Sequence, residues 1–156
     1  MVLAPDAVAL IRESWATLSR DPDALAARFF DELFAAAPEL RALFAGADLD
    51  AHRRKLTAAL DLVVRRAADL GPLVPGLVDL GRRHLRHGVR DEHYALVTRA
   101  LIRAIAVRLG EAFRPDVRDA WLTALDALSG VMRAGAATGY RASPPARRSA
   151  ARGHAS

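Results

Sequence analysis

The chain has 156 residues, 52 % of them hydrophobic, and no cysteine. That is room for one domain, and it excludes disulfides, thiolate metal sites and a cysteine nucleophile. The formal charge of +5 is concentrated in the tail after Gly139, which carries four arginines and no acid; the near-neutral body gives no electrostatic reason to expect nucleic acid.

No apolar run approaches the roughly 18 residues of a membrane span. The N-terminus has no basic stretch ahead of its early charges, so we expect no signal peptide and a cytoplasmic location. Thirty-four alanines and twenty-two leucines against three isoleucines favour helix over sheet.

The apolar spacing is helical almost throughout. Val8, Ile11, Trp15 and Leu18 form a first stripe after a Pro5-Asp6 start. Ala26, Phe30 and Leu33 form a second, with Phe29 and Phe34 beside it. Pro38 suits the first turn of a short third helix, PELRALF. Residues 45–50 read as a loop, followed by a helix of about twenty residues with His52, Leu56, Ala59, Leu60 and Val63 on one face.

Gly71, Pro72, Pro75 and Gly76 punctuate the next connection. Leu77, Leu80, Gly81 and His84 then share a face, and Gly88 ends that helix. Tyr94, Val97, Leu101 and Ile105 line a long helix; Gly110 and Pro115 separate it from a last one bearing Trp121, Leu125, Leu128 and Met132. No stretch alternates with period two long enough to argue a strand. The expectation is an all-α domain over 1–138, with about seven helices, and a disordered basic tail over 139–156.

Two histidines, His52 and His84, sit on apolar helical faces. An unpaired buried imidazole costs roughly 1–3 kcal/mol, so each calls for a partner. His87 is a rival to His84 but abuts Gly88 and is expected to be exposed, while His93 and His154 are expected to be solvated. His84, His87 and His93 form only a weak zinc pattern without cysteine or a spaced carboxylate set.

Several ordered stretches resemble the globin family over residues 5–138, most closely bacterial single-domain globins, neuroglobin and the haem domain of flavohaemoglobins. ALIRESW resembles the first helix, FFDELFAAAPELRALF the second and third, HRRKL the distal segment and LGRRHLRHGV the proximal segment. Tyr94 and the DAW at Asp119–Trp121 resemble the helices that follow.

The resemblance implies a three-over-three globin fold with a short or absent fourth helix, and haem b as cofactor. His84 is then the proximal iron ligand, and His52 the distal residue and possible sixth ligand. Phe44 packs on the haem and Phe30, fourteen residues earlier, overhangs it. Leu56, Leu80, Val89, Tyr94, Val97 and Leu101 complete the pocket; Lys55 and Arg83 either reach a propionate or are solvated.

Two departures matter. Phe30 stands where flavohaemoglobins carry tyrosine, and His52 where they often carry glutamine, which moves the chain toward neuroglobin. Ala136, fifteen residues past Trp121, stands where they carry a glutamate that hydrogen-bonds the proximal network with the tyrosine matched by Tyr94. We expect no flavin domain after the globin-like region.

The implied function is reversible binding of dioxygen, NO or CO on ferrous iron by a monomer or dimer. The alternative is nitric oxide dioxygenase or nitrite reductase activity fed by an external reductase.

Overall fold

The computed structural model describes residues 1–141, without the side chains of 139–141. The expected tail lies outside the described residues beyond Arg141. Six α-helices follow one another: α1 (Pro5–Leu18), α2 (Pro22–Ala36), α3 (Leu49–Arg65), α4 (Val74–Arg86), α5 (Asp91–Leu109) and α6 (Pro115–Arg141). A seven-residue 3₁₀ helix, Pro38–Phe44, joins α2 to α3 and makes the seventh helix. Single 3₁₀ turns precede α4 and follow α5. No strand occurs among the described residues.

The helix boundaries follow from local chemistry. Proline opens α1, α2, the 3₁₀ helix and α6, where its missing N–H and fixed φ cost nothing. Asp21 and Asp48 accept hydrogen bonds from Ala24 N (3.1 Å) and Ala51 N (3.2 Å), capping α2 and α3. Glycine ends α4, with Gly88 at φ +92°, a region a side chain rarely adopts.

The PELRALF helix is 3₁₀ rather than α, and its seven residues are long for that type. Only Ala45–Asp48 separates Phe44 from α3, so the fourth helix of the family pattern is absent.

α2 packs on α5 and α3, α1 on α6 and α3, and α4 on α6. The core runs from Ile11, Leu25 and Phe29 through Leu70 and Ile105 to Trp121. Trp121 donates to Ser14 Oγ (2.9 Å) inside it, and Trp15 donates to Asp61 Oδ1 (3.1 Å) at its edge. These bonds tie α1 to α6 and to α3. The helices bearing the two histidines belong to different pairings: α3 leans on α1 and α2, and α4 on α6.

Candidate functional site: a cavity between two histidine helices

An aromatic series leads from the core to the site. Phe29, Phe30 and Phe34 on α2 are buried, as their helical face dictates. Phe30 meets Phe44 edge-on at 5.5 Å, Phe34 meets it at 5.6 Å, and Phe44 meets His52 edge-on at 5.2 Å. Such edge-to-face pairs fix ring orientation as well as burying area. The Arg41 guanidinium lies over Phe34, 4.6 Å from its centroid.

The series ends at a cavity of about 430 Å³, lined by Leu43, Phe44, Ala45, Gly46, Ala47, His52, His84, His87 and Val89. His52 and His84, thirty-two residues apart in sequence, thus share one space. His84 is half-buried. Burial holds its pKa below the usual 6.5, and the charges of Arg83, His87 and His52 act in the same direction. A hydrogen bond to the Leu80 backbone one turn earlier opposes the shift. The ring is therefore neutral at pH 7, the form in which imidazole binds a metal.

The expected site residues do not all reach this cavity. Phe44, His52, His84 and Val89 line it, while Phe30 stands behind Phe44. Leu56 and Leu80 are half-buried on the two histidine helices, and Leu101 is buried in the core. Val97 is 36 % exposed. Lys55 is exposed, and Arg83 pairs with Asp79 at 3.3 Å.

Tyr94 and Val89 line a second cavity of about 360 Å³, with Leu85, Asp91, Arg133, Ala136 and Ala137. Ala136 therefore stands near the tyrosine that the family pattern pairs with an acid. The Tyr94 hydroxyl is buried with no hydrogen-bond partner among the described residues. Its pKa is raised above 10.0, by burial first and the neighbouring Asp91 second, with Arg133 opposing.

His87 is exposed, as expected, yet it lines the histidine cavity, which sequence spacing alone did not indicate. His93 is not simply solvated: its Nδ1 accepts the Arg90 N–H at 2.9 Å and caps α5. No group of three or more metal-binding side chains occurs among the described residues, so the zinc pattern gains no support. Ala45, Gly46 and Ala47 were missed because small loop residues carry no chemical signal, and Leu43 because a leucine on a short helix does not announce which face it shares with a cavity.

The donor set fits an iron porphyrin. A neutral, half-buried imidazole on a helix can supply an axial nitrogen. The apolar walls suit a flat macrocycle, and a second imidazole offers one polar group in the same space. No described helix is long and apolar enough to cross a membrane.

Comparisons with known proteins agree. The globin family model matches residues 27–132. The flavohemoprotein of Bordetella parapertussis is 30 % identical over 84 % of this chain, which spans only 33 % of that protein's length. Neuroglobin of Tetraodon nigroviridis is 32 % identical, over 72 % of this chain and 79 % of its own. The rice protein named anaerobic nitrite reductase NSHB5 (Oryza sativa subsp. indica) is 29 % identical, over 80 % and 89 %.

Among solved structures, the engineered carbene transferase RmaNOD of Rhodothermus marinus superposes with a TM-score of 0.80 at 29 % identity, covering 89 % of this chain and 96 % of that one. The family match, the helical fold and the paired histidines together make this chain a member of the globin family, with haem as its cofactor.

Proposed function

We propose that the chain reversibly binds a diatomic gas on ferrous haem b, with His84 as the protein's iron ligand and His52 as the distal group. Haem, when bound, would supply the ferrous iron that binds the gas, with His84 as the residue that would hold it. The observation that carries this reading is the placement of His52 and His84, from separate helical pairings, on one cavity with apolar walls.

In this reading burial keeps His84 neutral for the iron, and the Leu80 carbonyl orients the ring. Phe44, held by Phe30 and Phe34, forms an apolar wall and steadies His52. A hydrogen bond from His52 to a bound gas adds about 1.5–3 kcal/mol, or roughly 10- to 150-fold in dissociation rate. With no external ligand, His52 would be the residue able to hold the iron in part of the population, which would lower apparent affinity by the competent fraction.

Visible spectra of the purified protein test this. We expect a Soret band, a ferrous–CO complex, and split sharp bands in the ligand-free ferrous state. Purified protein that takes up no haem would overturn the reading; one broad ferrous band would remove His52 coordination alone.

A second reading is NO dioxygenation or nitrite reduction with an external reductase. It is favoured by the likeness to the plant protein named a nitrite reductase, matched over 89 % of its length. Phe30, with no hydroxyl, and Ala136, with no acid, weigh against specialisation for it. Turnover of NO or nitrite by the reduced protein, supplied with a ferredoxin or flavodoxin reductase, would raise this reading above the first.

A further inference from the structure

α4 carries His84, yet Gly81 is its only wholly buried residue. Leu77, Val78 and Leu80 are half-buried, and of these Leu77 packs against the core, so few side chains anchor this helix from within. Its N-terminus has no side-chain cap. Its attachment to α6 is made backbone to backbone at two reciprocal points. A Cβ added at Gly81 would collide with the Met132 carbonyl and lie 2.9 Å from Met132 Cα. A Cβ added at Gly135 would collide with the Val78 carbonyl and lie 2.8 Å from Val78 Cα.

Gly81 and Val78 are one turn apart on α4, as are Met132 and Gly135 on α6. Each glycine thus meets the backbone of the residue paired with the other. Close Cα–H···O approaches of this kind recur where helices cross at glycine.

We propose that Gly81 and Gly135 are positioning residues for the iron ligand: their crossing seats α4 on α6 and thereby sets where His84 stands in the cavity before any cofactor arrives. The proposal rests on the reading of His84 as the iron ligand. Gly81 lies three residues before His84, so the two share a rigid turn. At 100° per residue, the contact residues Val78 and Gly81 lie about a quarter turn from His84, which lines the cavity. A side chain at the crossing parts α4 from α6 and carries the imidazole sideways across the cavity. The C-terminal end of α4 travels with it, because Val89 N–H bonds to the His84 carbonyl at 3.0 Å and Gly88 N–H to the Leu85 carbonyl at 3.1 Å.

The test compares Gly81→Ala and Gly135→Ala with Gly130→Ala on the same α6, where an added Cβ meets nothing within 4 Å. In the haem-loaded ferrous protein carrying His52→Leu, so that one protein imidazole holds the iron, we expect the first two to shift the iron–imidazole stretching band in resonance Raman spectra. They should also speed haem loss to an excess of apomyoglobin by about 10- to 100-fold, the scale of changes behind a metal ligand; Gly130→Ala should match the parent.

With His84→Gly added to the same background and free imidazole supplied, the axial ligand is no longer tethered to α4, and Gly81→Ala should leave the band where it is. An unmoved band and unchanged haem loss in both crossing variants overturn the proposal. So does a band that shifts equally with untethered imidazole. If neither variant folds, hydrogen exchange of the parent decides. α4 amides protected in the haem-free protein support the crossing, and α4 amides that exchange freely while α6 stays protected overturn it. A parent that binds no haem fails the functional reading instead, and is recognised by its missing Soret band.

Discussion

Among the described histidines, His84 alone joins half-burial and a place on the cavity to a backbone partner at Leu80; His52 shares the first two features. His87 shares only the cavity. His84→Ala is therefore expected to abolish stoichiometric haem retention, while His87→Ala leaves the Soret position and pyridine-haemochrome content nearly unchanged. The opposite pattern would reassign the ligand.

Tyr94 carries a second residue-level prediction. Its folded pKa is raised above 10.0, so the folded state favours the protonated phenol. The resulting stability is fully present below pH 10 and is lost as pH rises through the folded value. Denaturant unfolding should show this alkaline loss in the parent and a shallower one in Tyr94→Phe; equal slopes would mean that the hydroxyl is not shielded.

Legibility at this scale depended on chemistry. Histidines on apolar faces stand out in a sequence. Val97, spaced like its helical neighbours Tyr94 and Leu101, gave no sign that it would be more than a third exposed, because helical period fixes a face and not what covers it.

Among the elements, helix starts marked by proline were the most readable feature, since proline has a local reason to sit there; the caps Asp21 and Asp48 were not read, and α3 begins at Leu49, inside the stretch 45–50 expected to be a loop. Pairings between elements were not readable. The link from Trp121 to Ser14 joins residues 107 apart in sequence, and nothing local to either announces it. Ser14 itself bonds to the Leu10 carbonyl at 2.7 Å and the Ile11 carbonyl at 3.1 Å. Ser14→Ala leaves the wholly buried Trp121 N–H without its acceptor, a loss of about 1–3 kcal/mol. Ser14→Thr keeps a hydroxyl and is expected to cost less in the same denaturant titration. The Gly81–Gly135 crossing was equally hidden: a glycine inside a helical stripe reads as a weak point until its neighbour across the interface is known.

Across the whole molecule, the two histidine helices hang from different partners, α3 from α1 and α2, α4 from α6. An iron bonded to both His52 and His84 would strap these halves together. His52→Leu should convert split ferrous bands into one broad band and speed dioxygen loss and autoxidation. It should also lower the melting temperature of the ferric protein, by about 3 °C for each ~1 kcal/mol of strap lost. A variant identical to the parent in spectrum and dioxygen off-rate would mean that His52 does not face the haem.

The globin architecture was legible from ordered motifs along most of the chain, and a short or absent fourth helix from the shortness of the segment after Phe44. That same segment, Ala45–Asp48 with Gly46 at φ +73°, works as a very short hinge. Phe44 is clamped by two rings at one end, and the Asp48 cap fixes α3 at the other. A door on so short a hinge cannot swing far as a panel. In the gas-binding reading proposed above, traffic past it would depend on the latch, the turning of a single imidazole, and the rhythm of opening would be that of a side chain rather than of a helix.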